Sequence, residues 1–433
     1  MIRIHNVRIL TMEEDRDIFF GELWIEGAFI TYVGPSVDDD DLPHFKQVID
    51  GEGNLMMPGF KNAHAHTAMT FLRGASDDLT LHEWLNQIVF PAEAKLTEED
   101  VYWLTHLGIL EYLSSGITAC FDMYPFVEAR RRAYEDAGFR AVFCGYVNNF
   151  ISSVEEMEEQ FTSYLVGDGK DGNTFTTYQL GFHAEYTTSR ELLQQIALLS
   201  HKYEAPVFMH CSETRLEVEE CIKTNGMGPV QYMDSLGLFD FGGGVFHGVF
   251  LSDDELKILA EKQVMVITNP ASNLKLASGV ARIIDFQKAG VTVALGTDGP
   301  ASNNALDMFR EMYLVTALQK VSTQDPAALP AYEVLKMATV HGSHTMRLYD
   351  TDVLKVGNKA DLIMINLNRP NMQPLTNLIN HLVYSANNTN VKMTMIDGVI
   401  HYMDGQYFVS IDVEEIYKKA NEIYQRILVG GQN

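Results

Sequence analysis

The stretch PGFKNAHAH, residues 58–66, carries two histidines one residue apart at the end of an apolar run. Alternate side chains of a β-strand point to the same face, so a strand here would direct His64 and His66 into one space. Two imidazoles that converge on one point are typical of a metal site. A lone pair is equally compatible with hydrogen-bonded structural histidines, so the remaining ligands have to be identified.

Seven further segments share this character: each is short, apolar and rich in β-branched or aromatic residues, and helix-like sequence separates them. The eight segments are LMMPGFKNAHAH (55–66), GITACFDMY (116–124), FRAVFCGYV (139–147), TYQLGFHAEYT (177–187), APVFMHCSE (205–213), GVFHGVF (244–250), VMVITNP (264–270) and VTVALGTDG (291–299). This alternation is typical of βα units around a parallel sheet. Eight units predict an α/β fold, a (β/α)8 TIM-type barrel, with its active site at the carboxyl ends of the strands.

The two ends of the chain have a different pattern, with short strands such as RIHNVRIL (3–10) and ADLIMINL (360–367) joined by Gly, Asn and Asp turns. We predict a barrel over residues 58–347 and a small β-sandwich domain built from residues 1–57 and 348–433. The C-terminal part ends in DVEEIYKKANEIYQRIL (412–428), whose apolar stripe predicts a closing amphipathic helix.

Composition narrows the class of protein. The 58 acidic and 32 basic side chains give a formal charge of -26, which disfavours nucleic acid and anionic membrane surfaces as partners. No apolar run approaches the ~18 residues of a membrane helix, and the N-terminal stretch lacks the apolar core of a secretory signal. Four cysteines without a C-x-x-C pair fit a reducing compartment. These features predict a cytoplasmic protein that acts on a small molecule.

Three of the other segments end in side chains that can complete a metal site. VFMHCSE (207–213), VFHGV (245–249) and ALGTDG (294–299) supply His210, His247 and Asp298. In a barrel these lie at the same rim as the two histidines of the first strand. Zinc-type ions take three or four such N and O ligands and keep a position for water.

At this point the sequence resembles the amidohydrolase superfamily, and within it the branch of 5'-methylthioadenosine/S-adenosylhomocysteine deaminases with their triazine-hydrolase and guanine-deaminase relatives. The motifs that carry the resemblance run in the same order along nearly the whole chain. They are PGFKNAHAH (58–66), RGASDDLTLHEWL (73–85), HCSET (210–214), NPASNLKLASG (269–279) and GTDGPASNNALDMF (296–309).

The resemblance implies one Zn2+ per subunit, with Fe2+ or Mn2+ as the other divalent candidates, held by His64, His66, His210 and Asp298. It places His247 beside the bound water. A bridged two-metal site generally needs a lysine at the end of strand four, and LGFHAEYT (180–187) has none. This favours one metal and a ring deaminase over an amide hydrolase.

The resemblance also implies the catalytic roles. Glu213 corresponds to the acid/base of the branch, and a carboxylate beside the water can pass a proton to a ring nitrogen. His247 would stabilise the developing oxyanion, and Asp298 would carry the second proton to the departing ammonia.

Two residues match substrate contacts of the branch: Glu83 would hold the ribose hydroxyls and His183 the purine or sugar. Glu185 stands where the branch usually has proline, and a carboxylate near the substrate tail would disfavour an anionic tail. Trp84 is more typical of helix packing than of ring stacking. Asn303 and Asn304 could cap the helix that follows them or line the pocket, and capping is the preferred interpretation.

The predicted function is hydrolytic deamination of an adenosine-type nucleoside, such as 5'-methylthioadenosine, 5'-deoxyadenosine, adenosine or S-adenosylhomocysteine. The alternative is deamination or dechlorination of another ring, such as guanine, a pterin, a pyrimidine or a triazine. A remote alternative is a barrel kept as a binding module after loss of catalysis. The resemblance further implies a homo-oligomer.

Overall fold

The computed structural model describes residues 1–14, 17–38, 40, 42–75, 77–151, 153–166 and 175–430. Within this part of the chain, eight parallel strands follow one another in sequence order around a barrel. Barrel strands one to eight are Phe60–Ala65, Ile117–Met123, Arg140–Cys144, Thr176–Ala184, Val207–Cys211, Gly243–His247, Val264–Thr268 and Val293–Leu295. Each coincides with one of the eight predicted segments, strands four and six beginning one residue earlier than predicted, and the TIM-type barrel is confirmed.

Side-chain and backbone hydrogen bonds join the first strand to the segment that follows the eighth. The amide of Asn62 donates to Thr297 Oγ1 over 2.8 Å, and its oxygen accepts from the Thr297 backbone N–H over 2.9 Å. Both side chains are fully buried. Closure therefore takes place at the rim that carries the metal-type side chains.

Helices surround the barrel and follow its strands in the chain. The α-helices are Leu81–Glu83, Phe90–Glu93, Glu98–Ser114, Val127–Ala137, Val154–Val166, Arg190–Tyr203, Arg215–Asn225, Pro229–Ser235, Asp253–Glu261, Pro270–Lys275, Ile283–Ala289, Met308–Thr323, Ala331–Ala338, Val340–Thr345, Leu378–Tyr384 and Val413–Tyr424. Short 3-10 helices occupy Thr67–Leu72, Glu185–Thr187, Pro370–Met372 and Asn388–Asn390, and π-helices occupy Trp84–Val89 and Gln425–Val429. No helix in the described ranges combines the length and apolarity needed to cross a bilayer.

Both chain ends contribute to one second sheet of nine strands. Its strands are Ile2–Ile9, Phe19–Glu26, Phe29–Gly34, Gln47–Asp50, Leu55–Pro58, Leu362–Ile365, Val391–Ile396, Val399–Met403 and Gln406–Tyr407. The sheet curls, so that turns from distant parts of the strand order meet. The turn at Gly398 lies so close to Gly27 that a Cβ added to Gly398 would be 2.1 Å from the Gly27 carbonyl oxygen. The small β domain from both ends is thus a single curled sheet, mostly antiparallel; the residue boundaries proposed for it stay a prediction.

Contacts of two kinds, ionic and apolar, illustrate how the barrel is attached to the rest of the described chain. The guanidinium of Arg140, on barrel strand three, pairs with Asp361 over 2.7 Å at the start of a small-sheet strand, and both groups are buried. The closing helix Val413–Tyr424 packs through Ile416, Ala420 and Ile423, the last two within a cluster that includes side chains of Glu98–Ser114. The C-terminal amphipathic helix is therefore confirmed, and it packs against a barrel helix.

Candidate metal centre and its adjoining cavity

Five predicted side chains meet at the carboxyl ends of the barrel strands. Ligand atoms of His64, His210, His247 and Asp298 all lie within 4.8 Å of one another, and all four residues are buried. His66 joins them, since its Nε2 lies 3.2 Å from Asp298 Oδ1 and 3.3 Å from His210 Nε2. The cluster thus holds one imidazole more than a four-ligand set needs.

Hydrogen bonds on the outer side of three imidazoles fix which nitrogen faces the centre. Nδ1 of His66 donates to the Met123 carbonyl, and Nδ1 of His210 donates to the His183 carbonyl over 2.7 Å. His247 Nδ1 lies 2.8 Å from Asn273 Oδ1. A carbonyl can only accept, so Nδ1 carries the proton and Nε2 presents its lone pair inward, as metal-binding histidines do.

Asp298 is held from the side opposite the imidazoles. Its Oδ2 accepts from the hydroxyls of Ser272 (2.6 Å) and Ser302 (2.8 Å), which leaves Oδ1 toward His64 at 3.4 Å. Asp298 has a φ of 60°, in the left-handed region that costs a non-glycine residue energy. The surrounding hydrogen bonds keep the carboxylate aimed at the centre despite that cost.

Glu311 anchors the two segments that carry Ser272 and Ser302. One oxygen accepts from the Ala271 backbone N–H over 2.9 Å, and the other accepts from Asn303 Nδ2 over 2.7 Å. The prediction that Asn303 and Asn304 cap the following helix is wrong, because Asp307 is the N-cap of Met308–Thr323. Asn303 instead ties two rim loops together.

Burial sets the charge states at the centre. It lowers the pKa of His64 to about 3 and that of His210 well below its ordinary value, so these imidazoles are neutral and able to bind a cation. Burial alone would raise the pKa of Asp298, but the neighbouring imidazoles of His64 and His66 hold it well below its ordinary range. His64 and His210 therefore offer neutral nitrogens and Asp298 an anionic oxygen, whereas the pKa of His66 is raised because its contact with Asp298 outweighs the opposing effect of burial.

Glu213 lies beside this centre in a place suited to proton transfer. Its Oε2 is 3.7 Å from His247 Nε2, and its Oε1 has no hydrogen-bond partner in the described part of the chain. Burial raises the pKa of Glu213 to about 8, which suits a group that gains and loses a proton near neutrality. The carboxylate of Glu217 accepts from the Glu213 backbone N–H over 2.8 Å and holds the loop.

Two cavities open at the rim. The inner cavity, of about 40 Å³, is lined by His66, His210, Glu213, His247 and Asp298 among others. A side chamber of about 860 Å³ lies next to it, between the segments that follow barrel strands one to four. Phe90, Tyr124, Tyr146 and His183 line both cavities and form the wall between them.

The predicted substrate contacts divide into those that reach these cavities and those that do not. His183 lies in the shared wall, with Nδ1 2.9 Å from Thr187 Oγ1. Glu83 lies elsewhere: its exposed carboxylate accepts from the hydroxyl of Thr80 over 2.7 Å in a capping box. Glu185 lines neither cavity and lies beside Cys221. In this structure Glu83 and Glu185 are therefore not placed to contact a ligand in either cavity.

Sequence reasoning missed two polar residues and underrated a third. Glu93 and Tyr124 are 7% and 1% exposed, both line the side chamber, and their side chains interact loosely with each other, outside good hydrogen-bond geometry. Trp84 packs in the helix as expected and also lines the inner cavity. Tyr124 directly follows barrel strand two, and a polar residue at a strand end could have been predicted to reach the site. Glu93 lies in a helical stretch, and nothing in the sequence distinguishes it from a surface glutamate.

Comparison with known proteins identifies the family. The model of the amidohydrolase family matches residues 55–401. The chain belongs to the amidohydrolase family. It is 40% identical to a 5-methylthioadenosine/S-adenosylhomocysteine deaminase of Syntrophomonas wolfei, over 99% of both chains. It is 38% identical to a 5'-deoxyadenosine deaminase of Methanocaldococcus jannaschii, over 98% of this chain and 99% of that one.

A solved structure agrees with the fold of this amidohydrolase. An adenosine deaminase from Xanthomonas campestris with bound zinc superposes with a TM-score of 0.92 at 30% identity, covering 99% of this chain and 98% of that one. The family resemblance seen in the sequence is confirmed. The His-His-His-Asp cluster of this amidohydrolase lies within the region that the family model matches.

Proposed function

We propose that this amidohydrolase removes the ring amine of an adenosine-type nucleoside by hydrolysis. The observation that carries the proposal is Glu213, a buried carboxyl with a free oxygen, next to a buried cluster of imidazoles and one carboxylate. The names of the full-length relatives at 37–40% identity supply the substrate class.

Zn2+ fits the cluster on a structural observation. Both ring nitrogens of His64 are buried and lack hydrogen-bond partners among the described residues, which is costly unless a cation accepts a lone pair. The nitrogen and oxygen donors are those that zinc prefers. We propose His64, His66, His210 and Asp298 as the ligands. When bound, the ion supplies Lewis-acid chemistry that makes water nucleophilic near neutral pH.

The side chains around the ion would transfer the protons of the reaction. Water adds its oxygen to the amine-bearing ring carbon, Glu213 takes a proton from the water, and the same carboxyl delivers it to the adjacent ring nitrogen. His247 would stabilise the developing negative charge with both ring nitrogens protonated, so that Nδ1–H stays bonded to Asn273 and Nε2–H donates toward the reacting oxygen. Asp298 passes the second proton to the amine as the carbon–nitrogen bond breaks. Ammonia leaves, and oxygen replaces nitrogen on the ring.

The other readings have less support. Triazine-hydrolase and guanine-deaminase structures are 20–22% identical to this chain and show the fold alone. A binding module would have no need for a complete ligand cluster beside a free buried carboxyl. We also propose a cytoplasmic location, because all four cysteines are buried thiols without disulfides. Homo-oligomerisation, and the lack of nucleic-acid and membrane partners, stay predictions.

A substrate screen tests the proposed function. Zinc-loaded protein is incubated with adenosine, 5'-methylthioadenosine, 5'-deoxyadenosine and S-adenosylhomocysteine, and in parallel with guanine, a pterin, cytosine and a triazine. We expect ammonia release from the nucleosides, and kcat lower by about 10²–10⁴ in Glu213→Gln with zinc still bound. Turnover of a free base or triazine in preference to every nucleoside would overturn the proposal.

A further inference from the structure

The side chamber is the continuation of the inner cavity away from the metal centre. The two share the wall formed by Phe90, Tyr124, Tyr146 and His183. With the reacting ring carbon at the metal centre, the ribose and its 5' substituent would extend past these four side chains into the side chamber. A volume of about 860 Å³ is at the upper end of the range for small-molecule pockets. The side chamber is therefore large enough for a bulky substituent.

The charges that line the side chamber have one sign. Four glutamates line it, and no lysine or arginine is found among its described lining residues. The glutamates are Glu93, Glu98, Glu128 and Glu156. Glu128 pairs with Arg131, and burial raises the pKa of Glu93 to about 7, so that this carboxyl is only partly ionised near neutral pH. Glu98 and Glu156 therefore remain as carboxylates without a compensating cation in the described lining.

The deepest of these carboxylates is also the least satisfied. Glu93 is 7% exposed, and its carboxyl group interacts only loosely with the Tyr124 hydroxyl, outside good hydrogen-bond geometry. Buried polar groups are nearly always hydrogen-bonded in native proteins. A loosely paired carboxyl and hydroxyl in one wall can therefore still accept a hydrogen bond from a neutral donor group of a ligand. The ionised carboxylate repels anions.

We infer that the side chamber binds an uncharged 5' substituent of the nucleoside and discriminates against a substituent that carries a carboxylate. A carboxylate placed there would lose water and meet the carboxylates of Glu98 and Glu156 and the partly ionised Glu93, without gaining a cation. The overall charge of -26 adds a potential of the same sign. The aromatic wall gives an apolar substituent the contact area that it would lack in water.

This inference rests on the proposed function and deepens it, so the test must separate the two. The probes are the 5'-butylthio and 5'-(3-carboxypropyl)thio derivatives of 5'-deoxyadenosine, which differ by a methyl group against a carboxylate at the end of equal chains. We expect kcat/KM for the butyl compound to exceed that for the carboxypropyl compound by at least about tenfold, the cost of one uncompensated charge. Plain adenosine and 5'-methylthioadenosine report deaminase activity in the same assay.

A pair of double variants tests the cause. Glu98→Gln with Glu156→Gln removes two chamber-lining charges from the first turns of two helices. Glu99→Gln with Glu155→Gln removes two neighbouring charges from the same turns, and neither of these residues lines the side chamber. If each glutamate lies roughly 10 Å from the substrate carboxylate in water, the Glu98→Gln/Glu156→Gln variant should raise kcat/KM for the carboxypropyl compound about three- to fivefold. The effect should be smaller at high salt. The control pair should leave kcat/KM unchanged.

Each outcome is decisive. Equal kcat/KM for the two probes would overturn the inference and leave the deaminase function in place. The same response in both double variants would show that the lining charges are not the cause, and would also overturn it. Failure to release ammonia from adenosine and from every analogue would overturn the proposed function and the inference together.

Discussion

The backbone N–H of Asp298 donates a hydrogen bond to the carbonyl of His64 over 2.9 Å, and the side chains of the same two residues lie 3.4 Å apart. The bond joins the first barrel strand to the segment that follows the last one. Barrel closure and assembly of the metal centre are therefore one structural event. A change that weakens closure should also weaken metal binding.

Substitution of Asn62 tests this coupling. Asn62→Ala removes the amide that pairs with Thr297 and leaves the buried Thr297 N–H without its partner, while the Thr297 hydroxyl loses a donor but still donates to the Asp298 carbonyl. We expect the free energy of unfolding to fall by about 2–3 kcal/mol, measured by urea denaturation, and zinc affinity to fall with it. Asn421→Ala removes an exposed hydrogen bond to Tyr417 and is the control. An Asn62 variant with native zinc affinity would contradict the coupling.

Loss of one imidazole should remove the metal without unfolding the protein. In His210→Ala, the centre loses an inward-facing nitrogen whose orientation the His183 carbonyl fixes. We expect less than about a tenth of the wild-type zinc content by elemental analysis, and no deaminase activity. His201→Ala, at an exposed ion pair with Asp240, should keep full zinc content. Stoichiometric zinc in the His210 variant would remove that residue from the ligand set.

Glu311 should act on the reaction without touching substrate. Glu311→Gln turns one of two acceptor oxygens into a donor that faces an N–H group, so one of the two serine-bearing loops loses its anchor. We expect kcat to fall about tenfold while KM changes little, because Asp298 is held less firmly. Glu191→Gln, an exposed first-turn glutamate, is the control. Recovery in Glu311→Asp would support positioning; an unchanged kcat in Glu311→Gln would refute it.

Lys61 should give the protein a distinct dependence of stability on pH. Burial lowers the pKa of Lys61 from 10.5 to about 8. Below pH 8 the lysine is charged in both states, so the folded state carries the full cost of the buried charge. Between pH 8 and 10.5 the folded protein loses this proton first, and the free energy of unfolding gains up to about 3 kcal/mol from this residue.

Denaturation of two variants over that pH range isolates the contribution of Lys61. Lys61→Met should lack the gain in stability between pH 8 and 10.5, relative to wild type. Lys418→Met, whose side chain is 72% exposed, should retain it. Parallel curves for wild type and the Lys61 variant would contradict the lowered pKa.

The barrel and its metal centre could be predicted because both follow from local regularities. Strand alternation places His64 and His66 on one face, and barrel topology brings every strand end to one rim. The fact that the small domain is one curled sheet could not be predicted, because the pairing of Leu55–Pro58 with Leu362–Ile365 joins segments about 300 residues apart. The sequence pattern of one strand does not show which distant strand it pairs with.

The substrate side of the site was harder to predict for a physical reason. Glu83, Glu93 and Asn303 lie on loops or short helices, where no periodic pattern fixes the direction of a side chain. Glu83 faces its own helix cap, whereas Glu93, ten residues later, is buried beside Tyr124. The role of Asn303 depends on Glu311, a partner on the next helix, and spacing alone could not reveal it.

The shared nine-stranded sheet has a consequence during synthesis of the protein. Leu55–Pro58 leaves the ribosome long before Leu362–Ile365, the strand that borders it, has been translated. An exposed strand edge can pair with other chains, so the nascent N-terminal strands face a long interval of vulnerability to aggregation. Truncation before residue 362 would make that vulnerability permanent, and chaperone dependence should therefore be greatest for incomplete chains.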